Sequence, residues 1–305
     1  MKTSTPLNRG IRLGAMTAVI AGLILTGCGP KKEGESGRAR KTIANVGSDT
    51  MLQIGMAWSE AYKKAAPDVN VEVNGGGSGV GIAGLINGSV ELANSSRSFE
   101  EKEIADLKAK QNKDVKEFMV GYDALSIYVH KDNPLNEISM EQLAEIYKKD
   151  GKITKWSDLG VKNIPGAKGD KIIVISRQNN SGTHHYFKEA VIGKKNDQRA
   201  DTVNQNGSAD VVNLLGTTPN AIGYSGMGYK TAVVKALKVS KKTGDTAVVP
   251  SIESTLDKTY PISRPMFMYT AGEPTEHTKK YIDWVLSDAG QNILKENGYV
   301  PLPKK

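Results

Sequence analysis

Four times in this chain a strand-length apolar run ends in glycines or small hydroxyl residues, usually with a helical pattern after them. Thr42 to Val46 leads into Gly47-Ser48-Asp49-Thr50, and Val69 to Val73 into Gly75-Gly76-Gly77-Ser78-Gly79. Val90 to Ala93 leads into Asn94-Ser95-Ser96-Arg97, and Lys171 to Ile175 into the stretch from Arg177 to Thr183. The apolar spacing that follows fits helices over Met51 to Ala66, Ile82 to Asn87, Phe99 to Gln111 and from about His184. Strands alternating with helices through short links predict an α/β fold with a largely parallel sheet. Further strands are expected over Ala124 to His130, Ala221 to Tyr224 and Pro261 to Thr270. Further helices are expected over Met140 to Lys149 and Ser208 to Leu215, with one final helix from Lys279 to Glu296.

The 305 residues leave room for one large domain or two ordinary ones. A hydrophobic fraction of 38% with 24% charged residues excludes global disorder. The start of the chain reads as an export signal. Lys2, Arg9 and Arg12 precede an apolar run, Ala15 to Leu25, too short for a comfortable membrane span. Leu25-Thr26-Gly27-Cys28 then resembles a lipobox, so residues 1–28 are expected to be a lipoprotein signal peptide, with lipid (palmitate) on Cys28 after cleavage. Cys28 is the only cysteine, so the fold has no internal disulfide and no cysteine-rich metal site. Residues 29–41 are polar and charged and read as a flexible tether. Most of the net charge of +8 lies in these first 41 residues. The body carries no basic stripe, and no nucleic-acid partner is expected.

The four loops share one chemistry. A helix N-terminus presents unpaired N–H groups and a partial positive charge, which suits an anion. Glycine lets the backbone come close to a ligand. Ser and Thr add donors, and Arg97 and Arg177 add forked guanidinium groups. Taken singly, Ser78 or Ser181 reads as a helix cap, Arg97 as a surface ion pair and Asp49 as a cap. Their recurrence in one exported chain favours an anion site.

The motifs GSDTM, NGGGSGVGIAGLINGSVELANSSR, SRQNNSGTHHYF, NAIGYSGMGY and ENGYVPL resemble, in order, the substrate-binding proteins of phosphate-type (Pst) ABC importers. The similarity runs from about Thr42 to Leu302. It implies a type II periplasmic-binding-protein fold of two lobes, each a mostly parallel sheet flanked by helices, with two crossover strands as hinge. On that reading lobe one is 42–123 and 266–305, and lobe two is 124–265. The resemblance implies that Ser48, Thr50, Ser78, Ser96, Arg97, Arg177, Ser181, Gly182 and Thr183 hold inorganic phosphate. Some family members carry an aspartate where Ser96 stands, accepting the proton of monohydrogen phosphate, and Asp49 is a candidate to replace it. The implied partners are ABC permease subunits and, through Cys28, the outer face of a membrane. Neither cofactor nor metal is expected, and the chain is expected to be an extracytoplasmic monomer without enzyme activity.

Three rival readings stay open on the residues. Gly79-Val80-Gly81-Ile82-Ala83-Gly84 matches a dinucleotide-binding fingerprint. Ser181 with His184 and His185 suggests a hydrolase, although adjacent histidines on a helix diverge by about 100° and share no metal. Sulfate, molybdate or tungstate would suit the same site as phosphate.

Overall fold

The computed structural model describes residues 41–303. The expected signal peptide, Cys28 and the expected tether up to residue 40 therefore lie outside the described residues. Lys41, expected to end the tether, is instead the first residue of a strand.

The first part of the chain contains β1 (Lys41–Gly47), α1 (Leu52–Ala65), β2 (Val69–Asn74), α2 (Ser78–Asn87), β3 (Leu92–Ser95) and α3 (Glu101–Gln111). Then come β4 (Val115–His130), β5 (Glu137–Ser139), α4 (Met140–Tyr147), β6 (Ile173–Arg177), α5 (Gly182–Phe187), β7 (Val203–Gln205) and α6 (Ser208–Thr217). The chain closes with β8 (Ala221–Gly226), β9 (Val234–Ala236), β10 (Lys238–Ser240), α7 (Ile252–Leu256), β11 (Ser263–Ala271), α8 (Glu276–Leu286) and α9 (Asp288–Glu296).

The main sheet runs β2-β1-β3-β11-β4-β8-β6-β7, with β9 also on β4. The outer pairs are parallel, as the alternation predicts: β1 with β2 and β3, and β6 with β7 and β8. The centre is antiparallel, because β4 and β11 run opposite to each other and to their outer neighbours. The sheet thus has two parallel wings joined through two strands. We call them the β1 wing and the β6 wing.

Three boundaries differ most from the sequence reading. Strand β4 begins nine residues before Ala124, because its first half is an amphipathic stretch with Lys116 and Glu117 outside. Helix α2 begins at Ser78 rather than Ile82, inside the glycine run. The last helix is two, broken at Ser287, whose extended backbone (ψ 166) ends α8 and starts α9.

Packing of each wing fixes where the loops end. Ile54, Trp58 and Tyr62 recur every four residues on α1 and are buried against the sheet. Trp58 Nε1 also donates to the Gly290 carbonyl at 2.8 Å, tying α1 to α9. Burial of one such side chain contributes about 2–3 kcal/mol. In the β6 wing Phe187 stacks on Tyr224 with centroids 3.9 Å apart, and Tyr147 meets Phe187 edge-on at 4.6 Å. The Tyr224 hydroxyl lies 2.8 Å from Ser176 Oγ and accepts from Arg177 N at 3.4 Å. This aromatic cluster sets the last residues of β6, where the fourth loop begins.

Candidate functional site

Parallel pairing puts the ends of β1 and β3 side by side, with Gly47 opposite Asn94. Their loops consequently share one space with the start of α2. Ser48 Oγ donates to Ser96 Oγ at 3.0 Å, and Ser78 Oγ lies 3.4 Å from that same oxygen. Ser96 N donates to Ser78 Oγ at 3.1 Å. The fourth loop arrives from the β6 wing. Thr183 Oγ1 lies 2.7 Å from Thr50 Oγ1, and all five hydroxyl residues are buried. A Cβ on Gly182 would sit 2.2 Å from Ser78 Oγ and 2.8 Å from Ser96 Oγ, so only glycine fits there. Gly77, at φ +92, is equally constrained, because a Cβ would lie 2.6 Å from the Asn180 carbonyl. All four predicted loops therefore meet.

The loop carrying Ser48 to Thr50 is braced from behind. Tyr229 donates to the Asp49 carbonyl at 2.5 Å, and Tyr299 donates to the Thr50 carbonyl. These tyrosines come from the NAIGYSGMGY and ENGYVPL motifs. The two motifs furthest from the hydroxyls in sequence are thus supports for the first loop.

Arg177 and Asp49 join the wings. Arg177 Nη2 donates to Asp49 Oδ2 at 2.7 Å and to the Asn206 carbonyl at 2.6 Å. Its Nε reaches the Gln205 carbonyl at 3.2 Å and its Nη1 reaches Ser208 Oγ at 3.0 Å. Asp49 Oδ1 accepts from Gly76 N at 2.8 Å. Burial lowers the Arg177 pKa, against the pull of Asp49. Asp49 thus has a donor on each oxygen.

Besides Arg177, which the sequence reading also put on the ligand, two more expected ligand contacts have other partners. Arg97 is turned to Glu103, with Nη1 and Nη2 donating to its two oxygens at 2.8 and 2.6 Å. That forked pair lies within the β1 wing and holds the guanidinium on the α3 side, where the sequence reading put it on the ligand. Ser181 caps α5, its Oγ accepting from Thr183 N at 3.2 Å and His184 N at 3.4 Å.

Sequence reasoning missed Asp123 and Arg264. Both are buried and pair at 2.9 Å beside the threonine hydroxyls. They stand in strands, where no turn or glycine signal marks them. Each of the two guanidiniums at the site, Arg177 and Arg264, has its own carboxylate. An anion here would be met by hydroxyls, amides and oriented N–H groups rather than by a net positive charge.

Of the rival enzyme readings, the dinucleotide fingerprint falls inside α2, so its glycines form no strand-to-helix turn. The lone pairs of Ser181 accept from the backbone of its own helix, which is a cap and not the setting of a nucleophile. His184 is driven down to about 4, first by burial and then by the charges of His185, Lys188 and Arg177. It is therefore neutral near pH 7. Among the described residues no group of three or more His, Cys, Asp or Glu is placed to hold a metal.

Comparison with known proteins places this geometry in a class. The sequence model of the PBP superfamily domain matches residues 33–289. A phosphate ABC transporter substrate-binding protein with bound phosphate from Clostridium perfringens superposes with a TM-score of 0.76 at 31% identity, over 86% of this chain and 100% of that one. The fold is that of a type II periplasmic-binding protein, a two-lobed class of solute binders rather than enzymes. The phosphate-binding protein PstS of Pseudomonas aeruginosa is 35% identical over 90% of this chain and 86% of its own length. That of Staphylococcus saprophyticus is 31% identical over 95% of this chain and 89% of its own. The chain belongs to this family, the phosphate-binding proteins of Pst type.

Proposed function

We propose that the protein captures inorganic phosphate between its lobes and delivers it to the permease of an ABC importer. The observation that carries this reading is the meeting of Ser48, Thr50, Ser78, Ser96 and Thr183 around the bare backbone of Gly182. Burying a dianion is costly unless each oxygen finds donors, and this cluster is dense in donors. On this reading those five hydroxyls and the amides near Gly182 contact the ligand. Arg177 and Asp49 hold the lobes together around it, and Ser181 keeps α5 aimed.

The lobes are residues 42–123 with 266–305, and residues 124–265. The hinge is the pair β4 and β11. Phosphate favours closure because Thr183 and Gly182 come from one lobe and the remaining contacts from the other. Lipid on Cys28 would keep a monomer on the outer face of a membrane, within tether reach of the permease. Stable anchorage of that kind takes more than one acyl chain.

Isothermal titration of the purified protein with phosphate and, separately, with sulfate tests this. One saturable phosphate site with weaker sulfate binding is expected. No saturable phosphate response, or tighter sulfate binding, overturns the reading.

A further inference from the structure

One buried charge stands where the hydroxyls of both wings end. Arg264 is the cross-strand partner of Asp123 in the β11–β4 ladder, and such partners share one face of a sheet. Asp123 Oδ2 accepts from Arg264 Nε at 3.2 Å and Nη2 at 2.9 Å, while its Oδ1 accepts from Met227 N at 3.1 Å. Arg264 Nη1 donates to the Ser96 carbonyl at 3.2 Å. The guanidinium carbon lies 5.4 Å from the centroid of the Tyr186 ring. These contacts hold a side chain only 1% exposed in one orientation. The same Nη2 then reaches Thr50 Oγ1 at 3.1 Å and Thr183 Oγ1 at 3.0 Å. An Nη2 carries two N–H groups. Asp123 takes one, and the other lies between two hydroxyls, one from each lobe.

We propose that Arg264 is a ligand-binding residue, set in place by Asp123, that bonds the oxyanion from the hinge itself. The inference rests on the phosphate reading above. A ligand oxygen accepting from the Thr50 and Thr183 hydroxyls would separate them and come within reach of the Nη2–H that now lies between them. A guanidinium N–H to an anionic oxygen is a short, strong hydrogen bond. Arg264 lies two residues before the lobe boundary and is tied across the hinge to Asp123 of lobe one, and Thr50 is on lobe one, so both are in place before Thr183 arrives. Arg264 therefore holds the anion in the open form and lets the second lobe close onto it. A cleft of about 1000 Å³ is lined in part by Ser96, Tyr186 and Arg264.

Phosphate titration calorimetry tests this on the wild type, Arg264→Lys and the double variant Arg264→Gln/Asp123→Asn, each also melted with and without phosphate. The lysine keeps the charge opposite Asp123 but loses the fork, and the double variant removes both charges together. Affinity should fall roughly tenfold for the lysine variant and about thirtyfold or more for the double variant. Melting without phosphate should stay cooperative, and the phosphate-induced rise in melting temperature should shrink in the same order. Wild-type affinity within about threefold in the double variant, or in the lysine variant should the double variant not fold, overturns this inference alone. A wild type that does not bind phosphate overturns the phosphate reading and this inference with it.

Discussion

The two buried ion pairs at the site, Arg177–Asp49 and Arg264–Asp123, are alike in chemistry and unlike in placement. Each guanidinium is about 1% exposed and each sits within hydrogen-bond distance of one carboxylate. Arg177 belongs to β6 and Asp49 to the loop after β1, so their bond spans the two wings. Arg264 and Asp123 are neighbours across β11 and β4, the two crossover strands. On the proposed lobe division, separation of the lobes would break the first pair and spare the second. A buried pair that loses one member leaves an uncompensated charge, at a cost of about 3–5 kcal/mol unless water reaches it. Asp49 is partly accessible at 11%, so water can take over from Arg177, whereas Asp123 is at 0%. The first pair is suited to a contact that forms and breaks, the second to one that persists.

The largest effect should come from prying the lobes apart without touching either pair. Gly182→Val puts side-chain atoms where Ser78 and Ser96 hydroxyls now lie, and phosphate affinity by calorimetry should fall about a hundredfold or more. Affinity near wild type would show that the two loops do not close on one ligand. Removing the spanning pair alone is the next test. Arg177→Gln should weaken phosphate about tenfold and lower the melting temperature, because four hydrogen bonds and a charge partner are lost together. Unchanged affinity would make that pair a fold element only.

A smaller effect concerns the histidine beside Arg177. His184 is held at about 4 against an ordinary 6.5, so the unfolded chain takes up its proton first as pH falls. Its contribution to stability is intact above pH 6.5 and is lost towards pH 4. Between pH 6.5 and 5.5 the loss should be roughly 1 kcal/mol, measured by urea unfolding, and His184→Gln should flatten that slope. An unchanged slope would place His184 in water rather than under the fourth loop. The smallest effect is expected for the third guanidinium. Arg97→Gln breaks a pair within one wing and should leave phosphate affinity within about twofold while costing roughly 1 kcal/mol of stability. A tenfold loss of affinity would restore Arg97 to the ligand.

The contrast between the pairs also separates what the sequence discloses from what it hides. Loops announce themselves through glycine and hydroxyl clusters at strand ends, so Ser48, Thr50, Ser78, Ser96 and Gly182 were legible. Arg97 and Arg177 looked equivalent in those loops. What divides them is Glu103, six residues on in the first turn of α3, which captures Arg97 by simple proximity. Asp123 and Arg264 were invisible because a charge in a strand reads as a solvent-facing residue. Only the antiparallel register of β4 on β11, set by pairing over a separation of 141 residues, brings them together. The parallel wings follow from local alternation, while the antiparallel centre does not, since nothing local tells Val115 to begin a strand.

Strand β4 runs for 16 residues without a break and pairs with β11 at one end and β8 at the other. A joint made of continuous strand has no slack loop to swing on. It bends as a leaf spring does, by small twists shared among many peptide units, with the bulge between Met266 and Phe267 as its softest point. The stiffness of that spring, more than the grip of any single hydroxyl, would then govern how quickly the cargo is let go.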